Sequence, residues 1–292
     1  MKRFLALCSV AVIAATFCVS VLGGQAKAVS NGRDSFQQYG AISLWNYDQN
    51  GVFRHRCTAS LINRYWALTA AHCNYPSGPN PPVLIVGQTS VRALSLNNTS
   101  GYQDLGLAKV IVHPDYQPDP DGDGPELNDI ALIKFNHPVN DSKQLLELPS
   151  VSPAIGAQGP VAGWGWICDD TVGTPGAQPN CGLPYPTRLQ QTSLEVVQDS
   201  RCEWFSDPST QFCTVGAQGK HTMACRGDSG GPLVRKSFSG FTLMGIVVGD
   251  GDYEINHPNE CDENINGEQG TGLFTDVAPY RQWIISAMYG LN

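Results

Sequence analysis

No Cys-x-x-Cys pair occurs anywhere in the 292 residues, which removes the commonest spacing of structural zinc sites. Lys and Arg are scarce, 18 against 26 Asp and Glu, and the formal charge is −8. Proteins hold nucleic acid chiefly through cations on phosphate, so this balance argues against nucleic acid as a partner and toward attraction of basic substrates. After Leu22 no apolar run approaches the length of a bilayer span, so the chain beyond it is expected to be soluble, with no membrane contact. No internal repeat and no long linker sets off a second module.

What is present begins with a leader. Lys2 and Arg3 precede a mostly apolar run from Phe4 to Leu22, and "GGQAKA" follows with Ala26 and Ala28 at signal-peptidase spacing. A run this long can also be read as an uncleaved anchor, but the small residues between Gly23 and Ala28 favour cleavage. Residues 1–28 are therefore expected to be a signal peptide, and 29–292 a secreted, extracellular protein. Lys2, Arg3 and Lys27 leave with the leader and no acid does, which takes the charge from −8 to −11. Of ten cysteines, Cys8 and Cys18 lie in the leader. The other eight, Cys57, Cys73, Cys168, Cys181, Cys202, Cys213, Cys225 and Cys261, form an even set that suggests four disulfides. Sequence alone leaves about a hundred pairings open.

Short apolar runs such as "YGAISLW", "LAKVIV", "DIALIKF", "FTLMGIVV" and "GLFTDV" alternate with Gly, Pro, Asn and Asp clusters from residue 37 on. This pattern predicts an all-β fold, a sandwich or barrels. Only the end differs. In "APYRQWIISAMYGLN", Tyr280, Trp283, Ile284, Ala287 and Met288 recur at helical spacing between Pro279 and Gly290, which predicts a terminal helix packed on the body.

The densest chemical signal is "CRGDSGGP", Cys225 to Pro232. Small residues around Ser229 allow a tight turn that exposes its hydroxyl and lets two amide N–H groups converge on one oxygen. A nucleophilic serine needs a base, and "LTAAHC" supplies His72 beside Cys73. The base needs a carboxylate to hold its tautomer, and Asp129, entering an apolar strand after Asn128, is the candidate.

With these residues in place, the chain resembles the chymotrypsin-fold, trypsin-like serine endopeptidases. The order histidine, aspartate, serine is matched by "TAAHC" at 69–73, "NDIAL" at 128–132 and "GDSGGP" at 227–232, with "GWG" at 163–165 and "GLFTDVAPYRQWI" at 272–284 as further markers. The resemblance spans residues 29–292 and implies two six-stranded antiparallel Greek-key barrels, the active site between them, and a C-terminal helix. It also implies peptide hydrolysis through an acyl-enzyme at Ser229, with Gly227 and Ser229 N–H groups as the oxyanion hole. Implied disulfides are Cys57 with Cys73, Cys202 with Cys213 and Cys225 with Cys261, leaving Cys168 with Cys181. No cofactor is implied; partners would be protein or peptide substrates and protein inhibitors, met by a monomer.

The family's new N-terminal amine pairs with the aspartate before the nucleophile. Here the expected leader cleavage itself creates Val29, for pairing with Asp228. The resemblance places Met223 at the base of the specificity pocket, with Ala224 beside it and Gly272 on the opposite wall, and so implies an apolar residue before the cleaved bond. "GIVVGDG" departs from the family's "GIVSWG": Val248 replaces either the serine that supports the catalytic aspartate or the tryptophan of the substrate groove. The acids of 249–270, Asp250, Asp252, Glu254, Glu260, Asp262, Glu263 and Glu268, read as a solvated loop or as a rim that attracts basic substrate residues.

"DPDGDGPELNDIALIKF" at 119–135 carries a second signal: Asp119, Asp121 and Asp123 have calcium-loop spacing and Glu126 adds another oxygen donor. Loop position twelve is Ile130 rather than Glu, so the motif is incomplete as an EF-hand and a plain acidic turn is the alternative. A catalytically silent binding or adhesion protein on the same fold is the rival function. Asn97 and Asn98 lie in N-x-S/T sequons.

Overall fold

A computed structural model describes residues 29–47, 51–74, 90–94, 102–118, 126–140, 145–166, 186–203, 207–251, 264–265 and 268–290. Residues 1–28, and with them the expected signal peptide, lie outside that set. So do the sequons, Asp119, Asp121, Asp123, Cys168, Cys181 and Cys261.

The first strand, β1 (Arg33–Asp34), belongs to the second of two large antiparallel sheets. The chain then builds the first sheet from β2 (Ala41–Tyr47), β3 (Phe53–Asn63), β4 (Trp66–Thr69), β5 (Ser90–Leu94), β6 (Tyr102–Asp104), β7 (Leu107–Val112) and β8 (Ala131–Phe135), in the order β6-β5-β2-β3-β4-β8-β7. The second sheet uses β9 (Gln158–Gly163), β10 (Gln190–Val197), β11 (Gln211–Gly216), β12 (Pro232–Lys236), β13 (Phe241–Asp250) and, after the small hairpin of β14 (Asn264–Ile265) and β15 (Glu268–Gln269), β16 (Thr271–Asp276). Its order is β1-β10-β11-β16-β13-β12-β9, and β9 also pairs with β10. Six strands thus close into a ring, as expected, with β1 appended to it; the first sheet has seven described strands.

Alternation along the strands explains why both barrels and their junction are apolar. On β4 Ala67 faces the core of the first barrel and Leu68 the junction; on β8 Ile133 and Leu132 divide in the same way. Successive side chains point to opposite sides of a strand, and here both sides are covered, so "ALIKF" is almost wholly buried. The first barrel closes on Ile42, Leu44, Leu61, Val91 and Phe135. The second closes on Val161, Leu194, Phe212, Leu233 and Phe274. Trp164, Val234 and Ile246 meet Leu68 and Leu132 between them.

The terminal helix α1 (Arg281–Tyr289) forms as the spacing predicts. It buries Ile284 and Ala287 against the junction, and Gly290 ends it in the left-handed conformation with its N–H on Ser286 O.

Candidate active site

Strand register brings the histidine and the aspartate together. β4 and β8 are antiparallel with Thr69 opposite Ala131, so the chain leaving β4 toward His72 and the chain entering β8 from Asp129 share one edge. A short turn, Ala71–Cys73, carries His72, and the Cys57–Cys73 disulfide ties that turn to β3. His72 main-chain N–H donates to Asp129 Oδ1 at 2.9 Å and Nδ1–H donates to Oδ2 at 2.7 Å. Two bonds to one buried carboxylate fix both the ring and its tautomer.

The aspartate is held from behind. Asn128 has φ 52°, a left-handed conformation that asparagine tolerates, and is pinned by Tyr280 Oη–H on its Oδ1 and by its own amide on Asp115 O. Thr275 Oγ–H donates to Asp129 O at 2.9 Å. Val248 lies at a bulge of β13 and offers no hydroxyl. Among the described residues only His72 donates to the Asp129 carboxylate. Support for this aspartate therefore reaches its backbone rather than its carboxylate.

The serine loop reaches the same edge from the second barrel. Thr58 N–H, on β3 beside Cys57, donates to Ser229 O at 2.9 Å, and Cys73 Sγ lies 3.8 Å from that oxygen. Trp166 N–H donates to Arg226 O, and Gly231 N–H donates to Asp228 O. In a trans peptide C=O and N–H point opposite ways, so these two bonds aim the N–H groups of Gly227 and Ser229 to the other side. Among the described residues neither N–H has a protein acceptor. Gly227 has φ 94°, which a side chain would strain.

Sequence reasoning missed His55. It is buried on β3, and its Nε2 lies 2.9 Å from Gly227 O, which also accepts from Thr58 Oγ–H. A carbonyl only accepts, so Nε2 carries the proton, and Ser43 Oγ–H, 2.7 Å away, donates to Nδ1. Burial pushes the ring down to about 4, with Gly227 O opposing. As pH falls from 6.5 toward 4, the unfolded chain takes up a proton that the folded chain refuses. Stability present above 6.5 is lost through that window, by roughly 3 kcal/mol. His55→Gln should shrink the difference between urea melts at pH 7 and pH 4.5 by about 2 kcal/mol; an unchanged difference would exclude His55 as the acid-sensitive group.

Asp228 is wholly buried and accepts from Gly165 N–H at 2.8 Å and Cys225 N–H at 2.9 Å. A Cβ on Gly165 would stand 2.5 Å from that carboxyl, which explains the second glycine of "GWG". Burial pushes Asp228 up to about 7 against these two bonds. Val29 is also fully buried, in the core of the second barrel, and Ser30 bridges to Met223. Met223 and Ala224 are buried, and Gly272 on β16 stands opposite Asp250 of β13. Cys202 and Cys213 are paired; Cys225 is disulfide-bonded, while its expected partner is outside the described residues.

Glu126 is placed differently from the expectation. The donor considered for calcium accepts from Tyr116 Oη–H at 2.8 Å and stands 3.7 Å from His72 Nδ1. Its carboxylate lies beside the histidine, while the other three acids of the expected calcium set, Asp119, Asp121 and Asp123, lie outside the described residues. Burial opposes charge on the His72 ring, but Asp129 and then Glu126 outweigh it and push the ring up to about 9.

Two barrels with a histidine–aspartate pair and a serine turn at one edge define the class of two-barrel serine peptidases. Comparison with known proteins agrees. The Trypsin family profile matches residues 31–284. Serine protease 1 of Homo sapiens is 32% identical over 238 residues, 79% of this chain and 78% of its own. Kallikrein-15 of Homo sapiens is 31% identical over 242 residues, 80% and 82% of the two chains. CLIP domain-containing serine protease B4 of Anopheles gambiae is 30% identical over 290 residues, 92% and 70%. The solved structure of neuropsin, a serine protease expressed in the limbic system of mouse brain, superposes with TM-score 0.62 at 22% identity, covering 89% of this chain and 100% of its own, a likeness of fold. The chain belongs to the trypsin family and is a serine endopeptidase.

Proposed function

We propose that this protein is an exported endopeptidase that cleaves after apolar residues, with Ser229, His72 and Asp129 as its catalytic residues. The observation that carries the catalytic reading is the double hydrogen bond from His72 to Asp129. Ser229 Oγ attacks the peptide carbonyl while His72 Nε2 takes its proton; the carbonyl oxygen becomes an oxyanion facing the N–H groups of Gly227 and Ser229. Collapse of that intermediate expels the amine, which receives the proton from His72 and leaves an ester on Ser229. Water, deprotonated by the same ring, releases the acid. These steps use no cofactor. Calcium, were it held by Asp119, Asp121, Asp123 and Glu126, would order the loop before Asp129 and take no part in the acyl transfer.

Export is inferred from the leader, and secretion would itself complete the enzyme. Cleavage after Ala28 frees the Val29 amine, and Asp228 is the partner we assign to it. The burial of both residues, and the upward push on an Asp228 carboxyl that has only backbone donors among the described residues, support that pairing. Among the described residues no helix is long and apolar enough to cross a membrane. The acidic charge argues for protein substrates and inhibitors rather than nucleic acid, and nothing in the reading needs a second copy of the chain.

Specificity is read from Met223 at the pocket base, between Ala224 and the wall at Gly272. Burying a cation there without a counter-charge would cost several kcal/mol. In a peptide library varied at the residue before the cleaved bond, Leu, Met, Phe or Tyr should exceed Lys and Arg by at least tenfold in kcat/KM. A preference for Lys or Arg would overturn the apolar pocket and point to Asp250 of β13, paired with Gly272 of β16, as the acid that serves it.

A further inference from the structure

Trypsin-type catalysis needs one carboxylate on the histidine; this site has two. The His72 ring nitrogen and carboxylate oxygens of Asp129 and Glu126 all lie within 4.8 Å of one another. Asp129 takes the direct bond to Nδ1 at 2.7 Å, while Glu126 Oε2 stands 3.7 Å from the same nitrogen. That distance is too long for a hydrogen bond and short for a charge interaction.

The second carboxylate is built in. A bridge between Gln117 and Leu127, with both main-chain bonds formed, joins the chain after β7 to the chain leading into β8 and brings Tyr116 within reach of Glu126. Tyr116 Oη–H holds Oε2 at 2.8 Å, and the amide of Gln211 on β11 holds Glu126 O at 3.0 Å. Both barrels therefore fix the residue. Its side chain is only 19% exposed.

We propose that Glu126 is a positioning residue for His72, a second fixed negative charge that stabilises the imidazolium formed when Ser229 gives up its proton. This rests on the triad reading above. The proton path is unchanged: Ser229 Oγ to His72 Nε2, then to the leaving amine, with neither carboxylate protonated. What changes is the basicity of the ring. Among the described residues the charged groups on His72 are Asp129 and Glu126; the disulfide of β3 and the serine loop add none, and no cation faces the ring. The upward push on His72 includes Glu126 among its causes.

The compensation has a local motive. Val248 brings no hydroxyl to Asp129, whose carboxylate has only His72 as a described donor, so the histidine relies on a less supported aspartate. Glu126 supplies a second negative charge 3.7 Å from the same Nδ1.

The test is Glu126→Gln, which keeps an acceptor for Tyr116 and removes the charge. The acid limb of kcat/KM, set by the free enzyme's base, should move down by about one pH unit. On the plateau kcat should fall by about three- to tenfold, with KM within twofold and an unchanged Tm. Tyr116→Phe, which removes one hydrogen bond to the carboxylate and keeps its charge, should move the limb by less in the same direction. An unmoved limb in Glu126→Gln overturns the proposal. A rise in KM confined to substrates with a basic residue beside the scissile bond, with the limb unmoved, also overturns it and makes Glu126 a substrate contact. Proton NMR titration of the His72 ring in wild type and Glu126→Gln needs no turnover. A downward shift there in a protein without hydrolytic activity would sustain Glu126 and sink the triad reading; no shift in an active one would do the reverse.

Discussion

Ser229→Ala is expected to lower kcat about a millionfold while leaving the fold and Tm as they are. The loop around residue 229 is held by main-chain bonds: Thr58 N–H to its carbonyl, Gly231 N–H to Asp228 O, and Gly230 N–H to Val247 O at 2.7 Å. None of these needs the hydroxyl. The His72–Asp129 pair is likewise untouched, but without an attacking oxygen it has no proton to take. A residual rate about a thousandfold or more above the uncatalysed one should persist, because the substitution leaves the main-chain N–H groups of residues 227 and 229, the proposed oxyanion hole, in place. Steady-state hydrolysis of a peptide amide measures the loss. A fall of less than a hundredfold would mean that another group delivers the nucleophile.

Asp228→Asn should come next in size, with kcat/KM down by about a thousandfold in the secreted chain. Once Val29 is an N-terminus, its ammonium is buried where Asp228 is the assigned counter-charge, and leaving a buried cation without one costs about 3–5 kcal/mol. The amide also puts NH2 where the carboxyl now accepts from Gly165 or Cys225. Both penalties fall on the loop that aims Gly227 N–H, so the catalytic rate should fall more than thermal stability suggests. Before cleavage the sign is different. Asp228 pushed up to about 7 in the intact chain gives stability that is full below about 4 and is lost as pH rises through 7. Cleavage should remove that loss, so the secreted chain and an uncleavable Ala28→Pro precursor should diverge in Tm between pH 4 and 8. Full activity in Asp228→Asn, or equal pH dependence of the two chains, would dismiss the pairing.

The proposed triad was legible because each member sits in a short motif whose chemistry is local: a turn of small residues at Ser229, a cysteine beside His72, a carboxylate at the mouth of an apolar strand at Asp129. The all-β fold was legible from alternation and turn residues, and the helix at the end from its spacing. His55 was not. Its role depends on Gly227, 172 positions away, and one histidine in the strand "FRHRC" has no pattern to mark it. Glu126 was read with the acids before it, since spacing groups neighbours in sequence; the Gln117–Leu127 bridge instead turns it toward Tyr116 and His72. The appended strand β1 was invisible for a related reason. Two residues hold no periodicity, and their pairing with Gln190 and Gln191 is decided by the barrel.

Intact mass of the secreted protein with and without a fluorophosphonate measures the reactivity of Ser229 and the new N-terminus together. One adduct per chain is expected, formed by Ser229 Oγ at phosphorus with loss of fluoride, on a protein that begins at Val29. An unlabelled protein beginning at Val29 would contradict that expectation.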